Sequence, residues 1–527
     1  MELIPALHCD VCVIGTGLAG CMAALEAAEM GARVCLASTG PLFSGSSFFE
    51  GTWGVGCIAP DGPEMAEDLV RTIVDVGCGM ADERLARTFV GGIPDALADL
   101  ERRGVALRMP DAAAEREYIP CFDHAHRVWR GLERASLESV FARGLAERGV
   151  TLLSSCALID IIEEGQAQVG EPIGTHSRVA GAVLYDSSET RVIAVDAAAI
   201  VLATGGLGGL WGHRLTRGDC LGNAQAIALA HGEELVNIEF LQIMPTVLAP
   251  KSPVVFNEKC FRYAELSIGI DRDLLDRRSM HGPFTSRLAS RDVDLAITQS
   301  SEPVTASVDR LPEPAPEFIA IYRDWYEGAT GLALEAPVEL VACAHASNGG
   351  ILIDGEGSGR LPGLFAAGEC TGGMHGADRI GGLASASALV FGRRAGRSAG
   401  IYAREHGREQ RRFSVAFDPG TGEEARAADR VLGRILDEHA LIIRTGEGLM
   451  EAGRELENLE RGGRFPLLAR QRILSARALV AAMRARTESR GAHYRADFPG
   501  SDPAQARPLA VSLTSEGMLH IEPVVYR

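Results

Sequence analysis

The sequence predicts an α/β protein: a domain built on a parallel sheet, interrupted by an α+β insertion and followed by a helical C-terminal domain. Three observations carry this. Val11-Cys12-Val13-Ile14-Gly15-Thr16-Gly17-Leu18-Ala19-Gly20 reads as a buried strand, a glycine turn and the start of a helix. Ile200-Val201-Leu202-Ala203-Thr204-Gly205-Gly206 is a second apolar strand running into glycines, most of a nucleotide-binding half later. Between Leu235 and Cys343 the texture changes, with the Pro- and Ser-rich run Ser300–Pro316 inside it, and glycine-punctuated strands return at His345–Ile351 and Gly363–Glu369. The divisions expected are residues 1–234 and 345–403 for the interrupted domain, 235–344 for the insertion and 404–527 for the C-terminal domain.

In the first motif Gly15 permits the tight turn, Gly17 admits a phosphate with no Cβ in the way, and Gly20 lets the helix lie close on the strand. Such a turn aims backbone N–H groups at a pyrophosphate, which makes the domain Rossmann-like. The helix Cys21–Met30 stops at Gly31, and Ala32–Ala37 is the second strand. An NAD site would place Asp or Glu near the end of that strand; Ser38 and Thr39 stand there and weigh against NAD. Gly45–Gly56, rich in glycine and hydroxyls, is a loop suited to lie against a cofactor. Two glycine-terminated strands approaching one ligand suit a two-lobed flavin site. Helical periodicity marks Glu64–Val76, Asp82–Phe89, Ile93–Arg103 and Leu132–Arg148. Val150–Ser155, Val179–Tyr185 and Arg191–Val195 read as strands, the last two joined by the turn Asp186–Thr190, with Glu163–Arg178 a polar turn. Asp219–Gly232 is a helix, and Ala384–Gly396 is a small-residue helix suited to packing against a flat ring system. After the charged linker Arg404–Glu424, helices are expected at Glu424–His439, Gly446–Leu459 and Arg464–Arg486.

With 527 residues, 46% of them hydrophobic, the chain can bury a sizeable core. The balance of 70 acidic against 52 basic residues gives a net charge of -18, which argues against a nucleic-acid partner. The first ten residues lack a basic leader, and the longest apolar stretch, Ala197–Leu210, is too short and glycine-rich to span a bilayer. No membrane insertion and a cytoplasmic location are therefore expected. The 12 cysteines are scattered through apolar runs as buried thiols would be. Cys9 and Cys12 form a C-x-x-C that leads into a strand with no second pair at zinc spacing. His124 and His126 sit in a polar loop without a carboxylate set, and no metal is expected.

Eight ordered stretches, Val13–Gly20, Gly45–Phe49, Ala203–Gly206, Glu239–Thr246, Ser290–Val293, His345–Gly350, Leu364–Gly382 and Glu488–Pro499, resemble the flavoprotein family that contains L-aspartate oxidase and the flavoprotein subunits of succinate dehydrogenase and fumarate reductase. The L-aspartate oxidase branch is the nearer. The resemblance implies FAD, a Rossmann-like FAD-binding domain interrupted by a capping domain, and hydride transfer between a small carboxylic or amino acid and flavin N5. It assigns cofactor contacts to Gly15, Gly17, Leu18, Ala19, Gly20, Ser38, Thr39, Ser46, Ser47, Ala203, Thr204, Gly205, Asp219, Glu369, Ser385 and Ser387. Ser46 replaces the flavin-linked histidine of the dehydrogenase subunits, so the FAD is expected to be non-covalent. Arg291 matches the arginine that moves a proton or orients substrate, with Asp292 and Glu258 as relay partners, because a guanidinium of pKa above about 12 is a poor base alone. His345 and Arg379 match the pair that grips a carboxylate, for which a planar guanidinium fork is suited. Thr246 closes the capping-domain motif.

One departure bears on substrate. The family motif ends His-Pro-Thr, whereas here Met244 precedes Pro245 and Thr246, and Met cannot donate a hydrogen bond to a carboxylate. Asn257-Glu258 stands for a Thr-Glu pair, and Lys259–Tyr263 replaces an arginine- and glycine-rich run. The substrate is then a monocarboxylate, or a dicarboxylate or amino acid whose second end is held differently. Three readings follow: an oxidase of the L-aspartate oxidase type, a fumarate or enoate reductase or succinate dehydrogenase-like subunit with a separate electron-transfer partner, and a flavin-containing scaffold. A homo-oligomer is compatible with each.

Overall fold

The computed structural model describes residues 2–3, 7–166, 177–248, 253–407, 413–414, 422–462, 465–524 and 526. Its centre is a five-stranded all-parallel sheet in the order Leu364–Ala366, Ala199–Leu202, Val11–Ile14, Val34–Ala37, Thr151–Leu153. Four of these strands are buried along their whole length, as parallel strands covered on both faces must be. Gly15, Ser38, Ala203 and Ala367 follow directly on four of the strands, so their turns gather at the carboxyl edge, where open α/β sheets bind ligands.

The helix Leu18–Glu29 begins inside the glycine motif, with Gly17 as its N-cap. It lies against the long helix Leu383–His406 through small residues: a Cβ on Gly392 would meet Ala19 O at 2.7 Å, and one on Gly396 would meet Ala23 O at 2.3 Å. The small residues of that long helix thus serve helix–helix contact, and only its first turns, with Ala384, Ser385 and Ala388, border the ligand cavity. The expected helices Asp82–Phe89 and Ile93–Arg103 are one, Glu83–Arg103, with Pro94 inside it. Leu132 ends a strand, Val128–Leu132, and the helix starts after it at Arg134. Gly222, in a left-handed conformation, delays the helix expected from Asp219 until Asn223. The hairpin is as expected: Val179–Asp186 pairs antiparallel with Arg191–Asp196.

The chain passes into the insertion along Leu241–Val247 and returns along Val338–Ser347, and these two strands are antiparallel neighbours. With Val254–Val255, Val304–Ser307 and Glu265–Leu266 they form a five-stranded sheet. This part has its own apolar cluster, including Phe256, Phe261, Tyr322 and Tyr326. Leu235–Val236 joins a different sheet, pairing with Gly350–Leu352 and with Leu509–Leu513. The C-terminal region is helical over Gly422–His439, Gly446–Gly462 and Leu467–Ala485, then adds the hairpin Leu509–Leu513/Leu519–Pro523. Most of the expected turn Glu163–Arg178 and linker Arg404–Glu424, and Arg464 at the head of the last expected helix, lie outside the described residues. Among the described residues, no helix is long and apolar enough to cross a membrane, and no His/Cys/Asp/Glu group is arranged to hold a metal.

Candidate active site

A cavity of about 670 Å³ runs along the carboxyl edge of the parallel sheet and reaches under the insertion. Its nucleotide end is built from backbone. Gly15 has φ 112°, and a Cβ there would meet Ala203 O at 2.1 Å, so the first and second glycine motifs touch. Gly17 borders the cavity, and a Cβ on it would have only Ser44 O and Ser47 Oγ near it, both at 3.8 Å. Gly17 supplies no side-chain cap and the first turn carries no acidic residue, which leaves N–H groups beyond Leu18, whose own N–H reaches Ser47 Oγ at 3.4 Å, for an anion. The Thr204 hydroxyl is buried without a hydrogen-bond partner among the described residues. A helix start with N–H groups for an anion, an open glycine face and an orphaned hydroxyl on one cavity suit a dinucleotide such as FAD.

Leu18, Ala19, Ser38, Thr39, Ser46, Ser47, Ala203, Gly205, Asp219, Glu369 and Ser385 also line the cavity. Gly20 does not; its place is against Gly15 O, 1.8 Å from where a Cβ would stand, and it secures helix on strand. Ser387 is buried in its helix, donating to Ala384 O at 2.9 Å. Ser38 stands where an NAD site would have a carboxylate, and its hydroxyl is engaged with Thr16 and Ser44 at 3.0 and 2.9 Å. Ser46 lies 2.7 Å from the Thr216 hydroxyl. The Gly45–Gly56 loop is braced from outside by Arg134, which sequence reasoning passed over; it donates to Ser47 O at 3.1 Å and to Thr52 O at 2.9 Å.

At the other end the paired strands of the insertion bring Gln242, Met244 and His345 to the cavity wall. Arg379 comes from the loop before the long helix, and its guanidinium donates to Gln242 Oε1 and Ile380 O. It has no carboxylate partner among the described residues; the other cavity arginine, Arg472, is paired with Asp429 at 2.7 Å. Burial lowers the Arg379 pKa against the opposing pull of the nearby Glu369 carboxyl, so the site holds a desolvated cation with no carboxylate in ion-pair contact among the described residues. Burial, reinforced by the Arg379 charge, pushes His345 down to about 4, while its hydrogen bond to Leu215 O opposes the shift. The imidazole is therefore neutral at pH 7, with Nδ1 donating to Leu215 O at 2.9 Å and Nε2 left as an acceptor. Glu258 lines the wall with Cys121, whose thiol donates to Glu258 Oε1 at 2.7 Å. Burial holds that thiol protonated. Nothing local in Pro120-Cys121-Phe122 marks it in the sequence.

Two of the residues expected to be catalytic are also not at the cavity. Thr246 is fully buried between strands, donating to Met244 O at 3.1 Å. Arg291, at the start of the helix Arg291–Gln299, donates to Ser286 O at 2.6 Å and lies over the Tyr494 ring. Gly282 and Pro283, a few residues before Ser286, form part of the wall, and Arg291 does not. The relay of Arg291, Asp292 and Glu258 is thus not assembled: Asp292 is exposed and 3.8 Å from Arg291, and Glu258 is held by Cys121.

Comparison with known proteins agrees with this arrangement. A model of the FAD binding domain matches residues 10–261 and 287–384, and one of the fumarate reductase flavoprotein C-terminus matches 467–527. The L-aspartate oxidase of Caulobacter vibrioides is 28% identical over 94% of this chain and 94% of its own. One subunit of the fumarate reductase (CoM/CoB) of Methanothermobacter marburgensis is 27% identical over 97% of this chain and 98% of its own. In fold, the chain is similar to the apo Sdh1 complex of Mycobacterium smegmatis, with a TM-score of 0.79, 23% identity, and 98% of this chain and 94% of that one covered. Fold and cavity together define an FAD-dependent oxidoreductase. The chain belongs to the FAD-binding flavoprotein family of L-aspartate oxidase and of the fumarate reductase and succinate dehydrogenase flavoproteins.

Proposed function

We propose that this enzyme takes two hydrogens from a small carboxylic or amino acid whose carboxylate is anchored by Arg379. The observation that carries the reading is the buried guanidinium at the reacting end of the cavity, whose hydrogen bonds go to an amide and a backbone carbonyl and to no carboxylate. FAD, when bound, supplies the two-electron acceptor. A bidentate carboxylate on Arg379 fixes the substrate's orientation, and Gln242 holds the guanidinium in place for it. His345 lies beside that anchor with Nε2 available. Glu258 is the wall carboxylate beside Cys121 and takes the proton from the atom next to the reacting carbon, with Cys121 fixing its orientation. Arg291 braces Ser286, a few residues after the wall residues Gly282 and Pro283.

Replacing Arg379 by Leu is expected to abolish turnover with the flavin still bound; undiminished turnover would remove the anchor. Glu258→Gln should lower turnover by roughly 10²–10⁴-fold. A loss as deep in Arg291→Lys, with flavin and acid still bound, would return the proton step to Arg291. The opposite direction, reduction of an enoate fed by a separate electron-transfer partner, is favoured by the relative that belongs to a fumarate reductase. Anaerobic bleaching of the flavin by saturated acids supports the oxidising direction, and reoxidation of reduced flavin by fumarate or acrylates supports the other.

A further inference from the structure

A second cavity, about 330 Å³, abuts the reacting end of the first, and the two share Cys121, Glu258 and Gly381 as wall. It lies at the seam between the parallel-sheet domain and the insertion, and is at the lower end of the size range of small-molecule sites, roughly 300–1,000 Å³. The chain has only 4 tryptophans, and three of them, Trp53, Trp129 and Trp325, line this one annex together with Tyr118 and Phe318. The rings form a continuous edge-to-face wall: Trp53 to Phe318 at 4.7 Å, Phe318 to Tyr118 at 5.2 Å, Tyr118 to Trp129 at 5.5 Å. The Arg108 guanidinium carbon stands over Trp129, 4.6 Å from the ring centroid. Its Nη1 and the Tyr118 hydroxyl are both buried without a hydrogen-bond partner among the described residues, although Arg108 and Glu317 lie near that hydroxyl.

A short acid held at Arg379 leaves such a wall with nothing to do. Met244, where the family has histidine, lines the main cavity and removes a polar grip there. In the main cavity Arg379 is the one cation with no carboxylate in ion-pair contact among the described residues, and it grips one carboxylate; Lys259 and Arg134, which line the annex, spend their donors on the Ile119, Ser47 and Thr52 carbonyls. We infer that the substrate is an aryl-substituted carboxylic acid: its carboxylate on Arg379, its ring in the annex against the wall of Trp53, Phe318 and Trp325, and an oxygen on the far edge of the ring facing Arg108 and Tyr118. This rests on the carboxylate anchor proposed above.

The test is titration of the FAD-loaded enzyme, anaerobically and by its visible spectrum, with propanoate, 3-phenylpropanoate and 3-(4-hydroxyphenyl)propanoate. Burial of a ring should make 3-phenylpropanoate bind at least about tenfold more tightly than propanoate, with the hydroxyphenyl acid tighter again. Trp325→Ala should cut the ratio of aryl to short-chain affinity by about tenfold. Arg108→Gln, which leaves the aromatic wall in place, should remove the gain from the ring hydroxyl. An aryl acid that binds no better than propanoate, or a ratio unmoved by Trp325→Ala in protein with full flavin content, overturns the annex. Arg379→Leu separates the two claims. If both acids weaken in it but no aryl advantage exists, only the annex fails; if neither weakens, the anchor fails as well.

Discussion

At the scale of single residues the least obvious result is the state of His345. The usual picture of a histidine donating to a substrate carboxylate requires a proton on the nitrogen that faces it, yet with its pKa near 4 the free imidazole carries only the proton given to Leu215 O. Binding a carboxylate against Nε2 must therefore recruit a proton, so the bound pKa lies above the free one. Affinity for a simple carboxylate should weaken as pH rises above about 4 towards the bound pKa, by at most about tenfold per unit. Titrations between pH 5 and 7 check this: the slope should be present in the native enzyme and absent in His345→Gln, and a flat native profile would mean that Nε2 never meets the carboxylate. His345, Arg379 and Glu369 were named through the family resemblance, and all three side chains lie on the cavity wall. Arg291, named in the same way, does not, since one bond to Ser286 O and a neighbouring ring decide where its long side chain lies.

At the scale of elements, the strand-turn-helix units were legible because burial on both faces and positive φ at Gly15 leave few alternatives. The break expected between Phe89 and Ile93 is absent: Glu83–Arg103 runs unbroken through Gly91, Gly92 and Pro94. A mid-helix proline costs a hydrogen bond, but packing compensates here, with Gly92 so near the long helix that a Cβ would meet Val390 Cγ1 at 2.8 Å. The small residues of Leu383–His406 were noticed, but their partner was misjudged: a repeat of small side chains suits a ring or a second helix equally, and only the fold tells which. Because the helix they receive, Leu18–Glu29, is the one that opens on the cofactor, its seating should govern both stability and flavin retention. Gly396→Val drives a side chain into Ala23 backbone and is expected to cost about 3 kcal/mol. Thermal melts and flavin stoichiometry would report this together; a variant with unchanged melting and full flavin would show that the helices tolerate being parted.

At the scale of the whole molecule the cofactor is a structural member, since its cavity is walled by segments spread from Ile14 to Arg472. A ligand bound to the folded state alone stabilises it by about 2.7 kcal/mol at a hundredfold excess over its dissociation constant. Reloading stripped protein with FAD should therefore raise the melting temperature, and acid precipitation of the holoenzyme should release all of its colour, because Ser46 offers no imidazole for attachment. No rise on reloading, or colour retained in the pellet, would contradict this. The aromatic annex could not be seen in the sequence: Trp53, Trp129 and Trp325 come from three distant segments, and no local period links them. They meet because the insertion folds down on the host, and that insertion is joined through Leu241–Val247 and Val338–Ser347, which lie side by side. Both splice points thus coincide in space, and a transplanted head has a single scar to match. An exchange at that seam would replace Phe318 and Trp325 while leaving Arg379, Trp53 and Trp129 with the host.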